Sequence, residues 1–592
     1  MVDSGHPGPL AGSQDPGPDG AGFTYHPVER ELIVLASPQA GLRADAAGPR
    51  SANGSDTSAL QMFLTDQQLA LEPLFGGEEQ VAAALTGLPR GSESLPDLTL
   101  FYRVRGAEER AEELAARLAA LPQIDTAYVK PSALPATRGP GDEGARGGEG
   151  RENDEEQREK AVVTPDFSGR QGYLLPAPQG VDAAWAWRQA GGSGEGVTLV
   201  DVEGAWLFGH QGLSHRVAGP AGGTPVEDLA WRNHGTNVLG VLSASRTGTG
   251  TVGIVPEAVT AGLSPYGIGT ARAVKEIADR LAPGDLLLLP LHRPGPRFEY
   301  AERDDQRGHI PLEWWPDDYA AIRYATARGV LVVEAAGNGA DSLDDAVYET
   351  RPEGFPAWWH NPFNPAGPSS GALVVGAGAP PPGTHGRDHG PDRSRLAFSN
   401  FGTRLDAQGW GHEVTTTGGA WNRSGDLQGG AEDEVWYTDT FSGTSPAAAM
   451  TAGVLASLQG MLRTAGLGPL TPERARELLR ATGSPQQEAP GRPDSQRIGT
   501  RPDIRALVSY LVPQRVASGT AERFWDELVP YPRDSASTLR LYVDGAWRGL
   551  TDPAPHVRQA VHAAFADGRP SVRVWYDAAD DSVVGVVVTN DG

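Results

Sequence analysis

The sequence contains no cysteine, which excludes disulfide bonds, thiolate metal sites and cysteine nucleophiles. It also lacks any apolar run approaching the about 20 residues that a membrane-spanning helix needs. The opening segment, MVDSGHPGPLAGSQDPGPDG, has neither the basic nor the apolar region of a secretory signal. The sequence therefore predicts no membrane association and a leaderless, cytoplasmic protein. An extracellular location stays open, because the absence of cysteine does not decide the compartment.

Positive charge is scarce in this chain. Its 592 residues include 50 Lys and Arg against 75 Asp and Glu, giving a formal net charge of −25. Because phosphate binding requires a basic face, this balance argues against a nucleic-acid partner. A chain of this length is too long to fold around a single hydrophobic core, so about two to four domains are expected.

Composition and periodicity divide the chain into five segments. The Gly/Pro/Asp-rich start predicts disorder. Apolar residues recur at helical spacing in AEERAEELAARLAALP, between the strand-like segments Leu98–Val104 and Ile124–Pro131, which predicts strand–helix–strand. The predicted segments are a disordered N-terminus (1–30), an α+β domain (31–135), a charged linker (136–170), an α/β domain (171–513) and a C-terminal α+β module (514–592).

Continuous apolar runs alternate with helical segments between residues 171 and 513. The runs VTLVDV, VTAGLS, LLLLPL, VLVVEAAG and ALVVGAG are typical of parallel strands covered on both faces. The segments GTNVLGVLSA, ARAVKEIADRL and YAAIRYATARG are typical of the helices between them. The predicted fold class is therefore α/β, with a doubly wound, mostly parallel sheet. In such sheets the chemistry gathers at the carboxyl ends of the strands.

Four polar residues lie at these predicted strand ends and helix starts. Asp201 follows VTLV, His234 precedes GTNVLGVL, Asn338 follows VLVVEAAG, and Ser445 opens an alanine-rich helix after the turn SGT. Each one alone is more typical of a turn, a helix cap or another structural position than of a catalytic site. Together they supply a hydroxyl nucleophile, a base, an orienting carboxylate and an oxyanion donor. A helix N-terminus at Ser445 would also favour developing negative charge.

These segments resemble those of the subtilisin-like serine proteases, the subtilases. VTLVDVEGAWLFGHQGL is similar to the family's Asp segment, NHGTNVLGVL to its His segment, EAAGNG to its oxyanion Asn segment and FSGTSPAAAMTAGVLA to its Ser segment. The order Asp, His, Ser is also the subtilisin order. The resemblance covers about residues 180–507. It implies a subtilisin-like fold and a serine endopeptidase that acts on proteins or peptides.

The resemblance also implies a role for each residue. Ser445 would attack the scissile carbonyl, His234 would act as general base and then general acid, and Asp201 would orient the imidazole. Asn338 Nδ2 and the N–H of Ser445 would bind the oxyanion. This chemistry requires no cofactor, and a structural calcium ion is left open. Residues 31–135 resemble a subtilase prodomain, which implies an intramolecular inhibitor whose tail, YVKPSALPA, enters the cleft.

The sequence departs from the family pattern at three places. Asn237 stands where the family has the second histidine of HGTH, and LLLLPLHRPGP replaces the usual Ser-Leu-Gly segment. Glu203-Gly-Ala-Trp stands in place of Thr-Gly after Asp201, which is expected to alter the pocket beside the base. Two other functions were weighed against the peptidase. A subtilase-fold binding scaffold requires a lost triad member, and an α/β-hydrolase esterase requires a G-x-S-x-G elbow that Gly443-Thr-Ser-Pro-Ala does not provide.

The segment Phe298–Tyr319 bears on specificity. It is rich in Asp and Glu and follows the strand that lines the substrate channel by resemblance. Coulomb attraction by these carboxylates would favour cationic substrate residues. The alternatives are a solvated acidic loop, or an apolar subsite formed by Leu312, Trp314 and Trp315.

Overall fold

The structure, a computed structural model, describes residues 30–45, 48–88, 95–107, 110–138, 163–511, 514–527, 537–566, 568, 570–577 and 583–589. The predicted disordered N-terminus, apart from Arg30, and most of the predicted charged linker lie outside these ranges. Within them, no helix is both long and apolar enough to cross a membrane.

The N-terminal region forms a four-stranded antiparallel sheet in the spatial order β4-β5-β1-β6. The predicted strand–helix–strand is confirmed as β5, α3 and β6, with Leu114 and Leu118 of α3 buried. The sequence analysis did not predict helices α1 and α2 or the hairpin of β2 and β3. The elements are β1 (Glu31–Ala36), β2 (Leu42–Asp45), β3 (Gly48–Ser51), α1 (Ser58–Gln67), β4 (Ala70–Pro73), α2 (Glu78–Thr86), β5 (Phe101–Arg105), α3 (Ala111–Ala119), β6 (Ile124–Lys130) and, beyond the sheet, β7 (Leu134–Pro135).

The central region contains a seven-stranded parallel sheet, which confirms the predicted α/β class. Its spatial order is β16-β15-β14-β11-β8-β10-β9, and the helices cover both faces. The elements are α4 (Ala183–Ala186), β8 (Thr198–Val202), β9 (Val217–Gly222), α5 (Leu229–Ser243), β10 (Val259–Leu263), α6 (Thr270–Ala278), β11 (Leu286–Leu289), β12 (Leu291–Pro294), β13 (His309–Ile310), α7 (Pro316–Ala327), β14 (Leu331–Ala335), β15 (Leu373–Gly378), β16 (Ala407–Trp410), β17 (Val414–Thr417), β18 (Tyr437–Phe441), α8 (Thr444–Thr464), α9 (Pro472–Ala481) and α10 (Ile504–Leu511).

The apolar run LLLLPL is two strands and not one. β11 lies inside the central sheet, whereas β12 leaves it and pairs with β13 and β7. The break falls at Pro290, which has no backbone N–H to donate to a neighbouring strand. This departure turns one edge of β12 toward the cleft, where it pairs with the extended segment β7.

The C-terminal region contains two three-stranded sheets and one helix. Among the described residues of this region, four strands precede the helix and two follow it. The elements are β19 (Gln514–Thr520), β20 (Arg523–Asp526), β21 (Thr538–Val543), β22 (Ala546–Thr551), α11 (Pro555–Ala566), β23 (Ser571–Asp577) and β24 (Val583–Thr589). Apolar side chains of both sheets and of the helix share one core of their own.

Candidate active site

Ser445 lies in the first turn of α8 and is buried. Gly443 delivers it there with a φ of 116°, and a Cβ at Gly443 would lie 2.3 Å from the carbonyl oxygen of Ala136. A side chain at this position would therefore collide with the chain that fills the cleft. The N–H of Ser445 donates to Ala136 O at 3.0 Å, and its Oγ donates to Pro290 O at 3.0 Å.

His234 lies in the second turn of α5, rather than at the helix start suggested by the sequence. Its Nδ1 is 2.6 Å from Glu203 Oε2. Phe441 contacts the ring edge-on, with the centroids 5.5 Å apart. Among the described residues, no atom forms a hydrogen bond with Nε2. The ring is therefore held at Nδ1, while Nε2 is left to accept a proton.

The carboxylate beside His234 belongs to Glu203, although the sequence analysis assigned that place to Asp201. The Asp201 carboxylate accepts a hydrogen bond from Trp206 Nε1 at 2.8 Å. The two residues are separated by one, so they share a face of β8, but Glu203 lies about 7 Å farther along the strand direction. Glu203 thus stands just past the carboxyl end of β8 with a longer side chain, and it reaches the imidazole.

Burial dominates the electrostatics of these three side chains. It lowers the pKa of His234 to about 3 and raises the pKa of Glu203 well above its ordinary value. Burial, followed by the nearby Glu203 charge, likewise raises the pKa of Asp201. With the tail in the cleft, burial therefore favours the neutral forms of His234 and Glu203, and exposure to solvent would favour their charged forms.

Asn338 follows β14 and is also buried. Its Oδ1 accepts from both the N–H and the Oγ1 of Thr444, each at 3.0 Å. Its Nδ2 donates to Gln306 Oε1 at 2.9 Å. The side chain therefore borders the start of α8, as expected for an oxyanion donor. The sequence analysis missed its contact with Gln306, because nothing in the sequence relates the two residues.

The chain that follows the N-terminal sheet lies extended through the cleft; residues 131–138 are called the tail below. β7 pairs antiparallel with β12, placing Leu134 opposite His292 and Pro135 opposite Leu291. The N–H of Ala136 then donates to Pro290 O at 2.9 Å. The Ala136 carbonyl points at the N–H of Ser445, so the bond from Ala136 to Thr137 lies beside the serine.

The tail continues past Ala136 toward solvent. Thr137 Oγ1 donates to Ser442 O at 2.6 Å, and Thr137 O accepts from Gln306 Nε2 at 2.8 Å. The N–H of Arg138 donates to Ser442 O at 3.3 Å, and its guanidinium lies over the ring of Phe398 at 5.4 Å. The tail thus crosses the whole cleft.

A buried ion cluster joins the N-terminal sheet to the first turns of α6 and α7. Lys130 Nζ lies 2.9 Å from Glu31 Oε2 and 3.3 Å from Asp318 Oδ1, and it also contacts Asp317. Arg293 Nε is 3.3 Å from Asp318 Oδ2. Burial alone would lower the pKa of Lys130, but the surrounding carboxylates outweigh it and raise that pKa. The cluster fixes β6, and hence the start of the tail, against the catalytic region.

These pairs bear on the acidic segment Phe298–Tyr319. Asp317 and Asp318 lie in the cluster just described, and Glu313 is paired with Arg404 at 2.7 Å. Trp314 and Trp315 are buried among other aromatic rings, including Tyr128 of β6. The neutralised carboxylates and the two tryptophans anchor α7 and the N-terminal sheet, and they do not line the cleft.

Metal binding was left open by the sequence. Among the residues that the structure describes, no group of three or more His, Cys, Asp or Glu side chains is arranged to hold a metal ion.

Parts of this chain are similar to known proteins. A profile of the Subtilase family matches residues 304–499, which include Asn338 and Ser445. A relative described as "Intracellular serine protease", from Paenibacillus polymyxa, is 26% identical over 331 residues, covering 53% of this chain and 84% of that protein. The central domain therefore contains a segment that matches the subtilases. The family match and this relative support a serine peptidase, a hydrolase that acts on proteins or peptides.

Two solved structures are similar to this chain. A protease from Pseudoalteromonas arctica PAMC 21717 is 19% identical, with 59% of this chain and 99% of that chain covered and a TM-score of 0.41. A cold adapted subtilisin-like serine proteinase is 20% identical, with coverages of 53% and 89% and a TM-score of 0.34.

Proposed function

We propose that this chain is an endopeptidase in which Ser445, His234 and Glu203 form the catalytic triad. With Nδ1–H donating to Glu203, His234 Nε2 accepts the proton of Ser445 as Oγ attacks the carbonyl carbon. Oγ must first turn from Pro290 O toward Nε2. Glu203 stabilises the imidazolium that forms, and the imidazolium then protonates the leaving amine. The reaction needs no cofactor.

The oxyanion is bound by the N–H of Ser445 and by Asn338 Nδ2. The first donor is supported by its 3.0 Å contact with the Ala136 carbonyl. The second is supported by the position of Asn338 against Thr444, at the start of α8. Two donors fixed by the backbone and by neighbouring side chains require little reorganisation when the charge develops.

The N-terminal domain is an intramolecular inhibitor, and its tail is the first substrate. A single observation carries this proposal: the tail lies in the cleft with the Ala136 carbonyl on the N–H of Ser445 and with β7 paired to β12. An extended peptide held at this edge leaves no room for another substrate. Hydrolysis between Ala136 and Thr137 would sever the tail from the catalytic domain.

Intact-mass spectrometry of the purified full chain tests this proposal. We expect fragments that meet between Ala136 and Thr137, together with fluorophosphonate labelling of Ser445. Ser445→Ala should stay uncut and unlabelled. Ser457→Ala removes a buried hydroxyl from the same helix, where it donates to Gly192 O at 2.7 Å, and this control should be cut and labelled normally.

Other outcomes would decide against parts of the proposal. An unsubstituted chain that is neither labelled nor cut would favour the binding scaffold. A labelled chain that hydrolyses added peptides but stays intact would mean that the tail inhibits without being a substrate. The name of the Paenibacillus polymyxa relative supports an intracellular location, and fractionation of the source cells would test it.

A further inference from the structure

Gln306 lies in the loop between β12 and β13 and is buried, although both neighbours along the chain, Asp305 and Arg307, are more exposed. Its backbone has a φ of 56°, in the left-handed region that disfavours residues other than glycine. Such conformations persist where the surrounding structure enforces them, and they concentrate at functional sites. The loop thus directs one long amide side chain into the cleft.

Both ends of this amide are engaged. Gln306 Oε1 accepts from Asn338 Nδ2 at 2.9 Å, while Gln306 Nε2 donates to Thr137 O at 2.8 Å. Thr137 follows the bond that lies beside Ser445. One side chain therefore connects the amide of the oxyanion site with the backbone of the residue on the leaving-group side.

The contact with Gln306 leaves Asn338 able to serve the oxyanion. An amide NH₂ has two hydrogens, and Gln306 takes one of them. With Oδ1 held by Thr444 and one Nδ2 hydrogen held by Gln306, the plane of the Asn338 amide is fixed. The second hydrogen can then face the scissile carbonyl without an orientational search.

We propose that Gln306 is a positioning residue with two tasks: it orients Asn338, and it binds the carbonyl of the residue that follows the scissile bond. This inference rests on the proposed peptidase function. It assigns a substrate class, namely peptides that continue past the scissile bond. The leaving group of an anilide substrate has no such carbonyl. Gln306 therefore assists its hydrolysis only by orienting Asn338.

Two substrates separate the tasks in the full chain. One is a peptide with the tail sequence Ala-Leu-Pro-Ala-Thr-Arg, and the other is Ala-Leu-Pro-Ala p-nitroanilide. The ratio of their kcat/KM values is measured on one enzyme preparation. Since the resident tail competes with both substrates alike, the fraction of enzyme with an open cleft cancels from the ratio.

Gln306→Glu and Gln306→Leu are the informative variants. An ionised Glu keeps an acceptor for Asn338 but cannot donate to the carbonyl, so anilide turnover should change less than about threefold while the ratio falls about tenfold. Protonation restores a donor, so the ratio for Gln306→Glu should recover as pH falls from 9 to 5. Leu removes both contacts, so anilide turnover should fall about tenfold and the ratio about tenfold as well.

Arg307→Gln, an exposed change in the same loop, should leave both substrates and the ratio unchanged. If the ratio is the same in all four proteins at every pH, Gln306 only packs the loop and the inference is overturned. If Gln306→Leu fails to fold, Gln306→Glu and its pH profile still decide the matter. An unsubstituted chain that cleaves neither substrate refutes the peptidase proposal itself, which is a different result from turnover with an invariant ratio.

Discussion

Single substitutions of Glu203 and Asp201 test which of the two carboxylates orients His234 and stabilises its imidazolium. Glu203→Gln removes the charge 2.6 Å from the imidazole and keeps the shape of the side chain. Asp201→Asn removes the charge from the neighbour on the same strand and keeps an acceptor for Trp206. The family pattern would assign the larger loss to Asp201, whereas the contacts in the cleft assign it to Glu203.

The size of the effect follows from the charge that forms during the reaction. A unit charge pair at 2.6 Å interacts by about 6 kcal/mol at an effective dielectric constant of about 20. At about 1.4 kcal/mol per factor of ten, this corresponds to a loss of about 10⁴ in kcat. Losses of this order follow removal of the orienting carboxylate in other serine proteases. For Asp201→Asn we expect less than about tenfold, because its carboxylate bonds Trp206.

The assay is hydrolysis of the Ala-Leu-Pro-Ala-Thr-Arg peptide, with thermal unfolding of each variant as the control for folding. The pH dependence adds a second readout, since an imidazole without its carboxylate has a lower pKa and a different pH–rate profile. A loss of about 10⁴ in Asp201→Asn, with Glu203→Gln near the unsubstituted rate and both proteins folded, would refute the assignment.

Three further changes have defined outcomes. Asn338→Ala should lower kcat by about 10²–10³ with little change in KM, as measured by steady-state kinetics, because the amide acts on the charged intermediate. Lys130→Met should release the N-terminal domain, seen as faster peptide hydrolysis, because breaking a buried ion pair costs about 3–5 kcal/mol; exposed Arg117→Met is the control. Burial holds the pKa of His234 at about 3 while the tail fills the cleft. When the tail leaves, that pKa should rise toward its ordinary value, so kcat/KM should fall as pH drops below about 6.5, where the protonated ring accepts no proton. A flat profile down to pH 4 would contradict this.

The parts of the fold that depend on local patterning were predictable from the sequence. Continuous apolar runs marked the strands of the parallel sheet, and the GTSPAAA segment placed Ser445 at the start of a buried helix. The sequence GVDAAWAWRQAGG (Gly180–Gly192) has the pattern of a short amphipathic helix ended by glycine, but only Ala183–Ala186 is helical. Asp182 enters it with a φ of 62°, and the following glycines turn the chain tightly. Apolar spacing does not show such turns.

Contacts between distant parts of the chain were not predictable in this way. The place of Glu203 depends on where β8 ends relative to α5, and a difference of two residues along a strand moves a carboxylate by about 7 Å. One feature of the sequence did point to Glu203. The segment Glu203-Gly-Ala-Trp stands where the family has Thr-Gly, so it places an acid and a tryptophan beside Asp201. The segment Glu203-Gly-Ala-Trp supplies Glu203, which contacts His234. It also supplies Trp206, whose Nε1 donates to the Asp201 carboxylate at 2.8 Å.

Glu313, Asp317 and Asp318 of the acidic segment are neutralised by partners that the local sequence does not reveal. The field of a carboxylate depends on its partners, and the partners here come from remote positions: Arg404 for Glu313, Lys130 and Arg293 for Asp318. A pair that is neutral overall exerts little attraction on a substrate several ångströms away. These charges therefore hold the N-terminal domain and α7 in place, and the tail contacts β12 through main-chain pairing. Under the proposed function, selection among substrate side chains would come from the shape of the cleft beside Ala136.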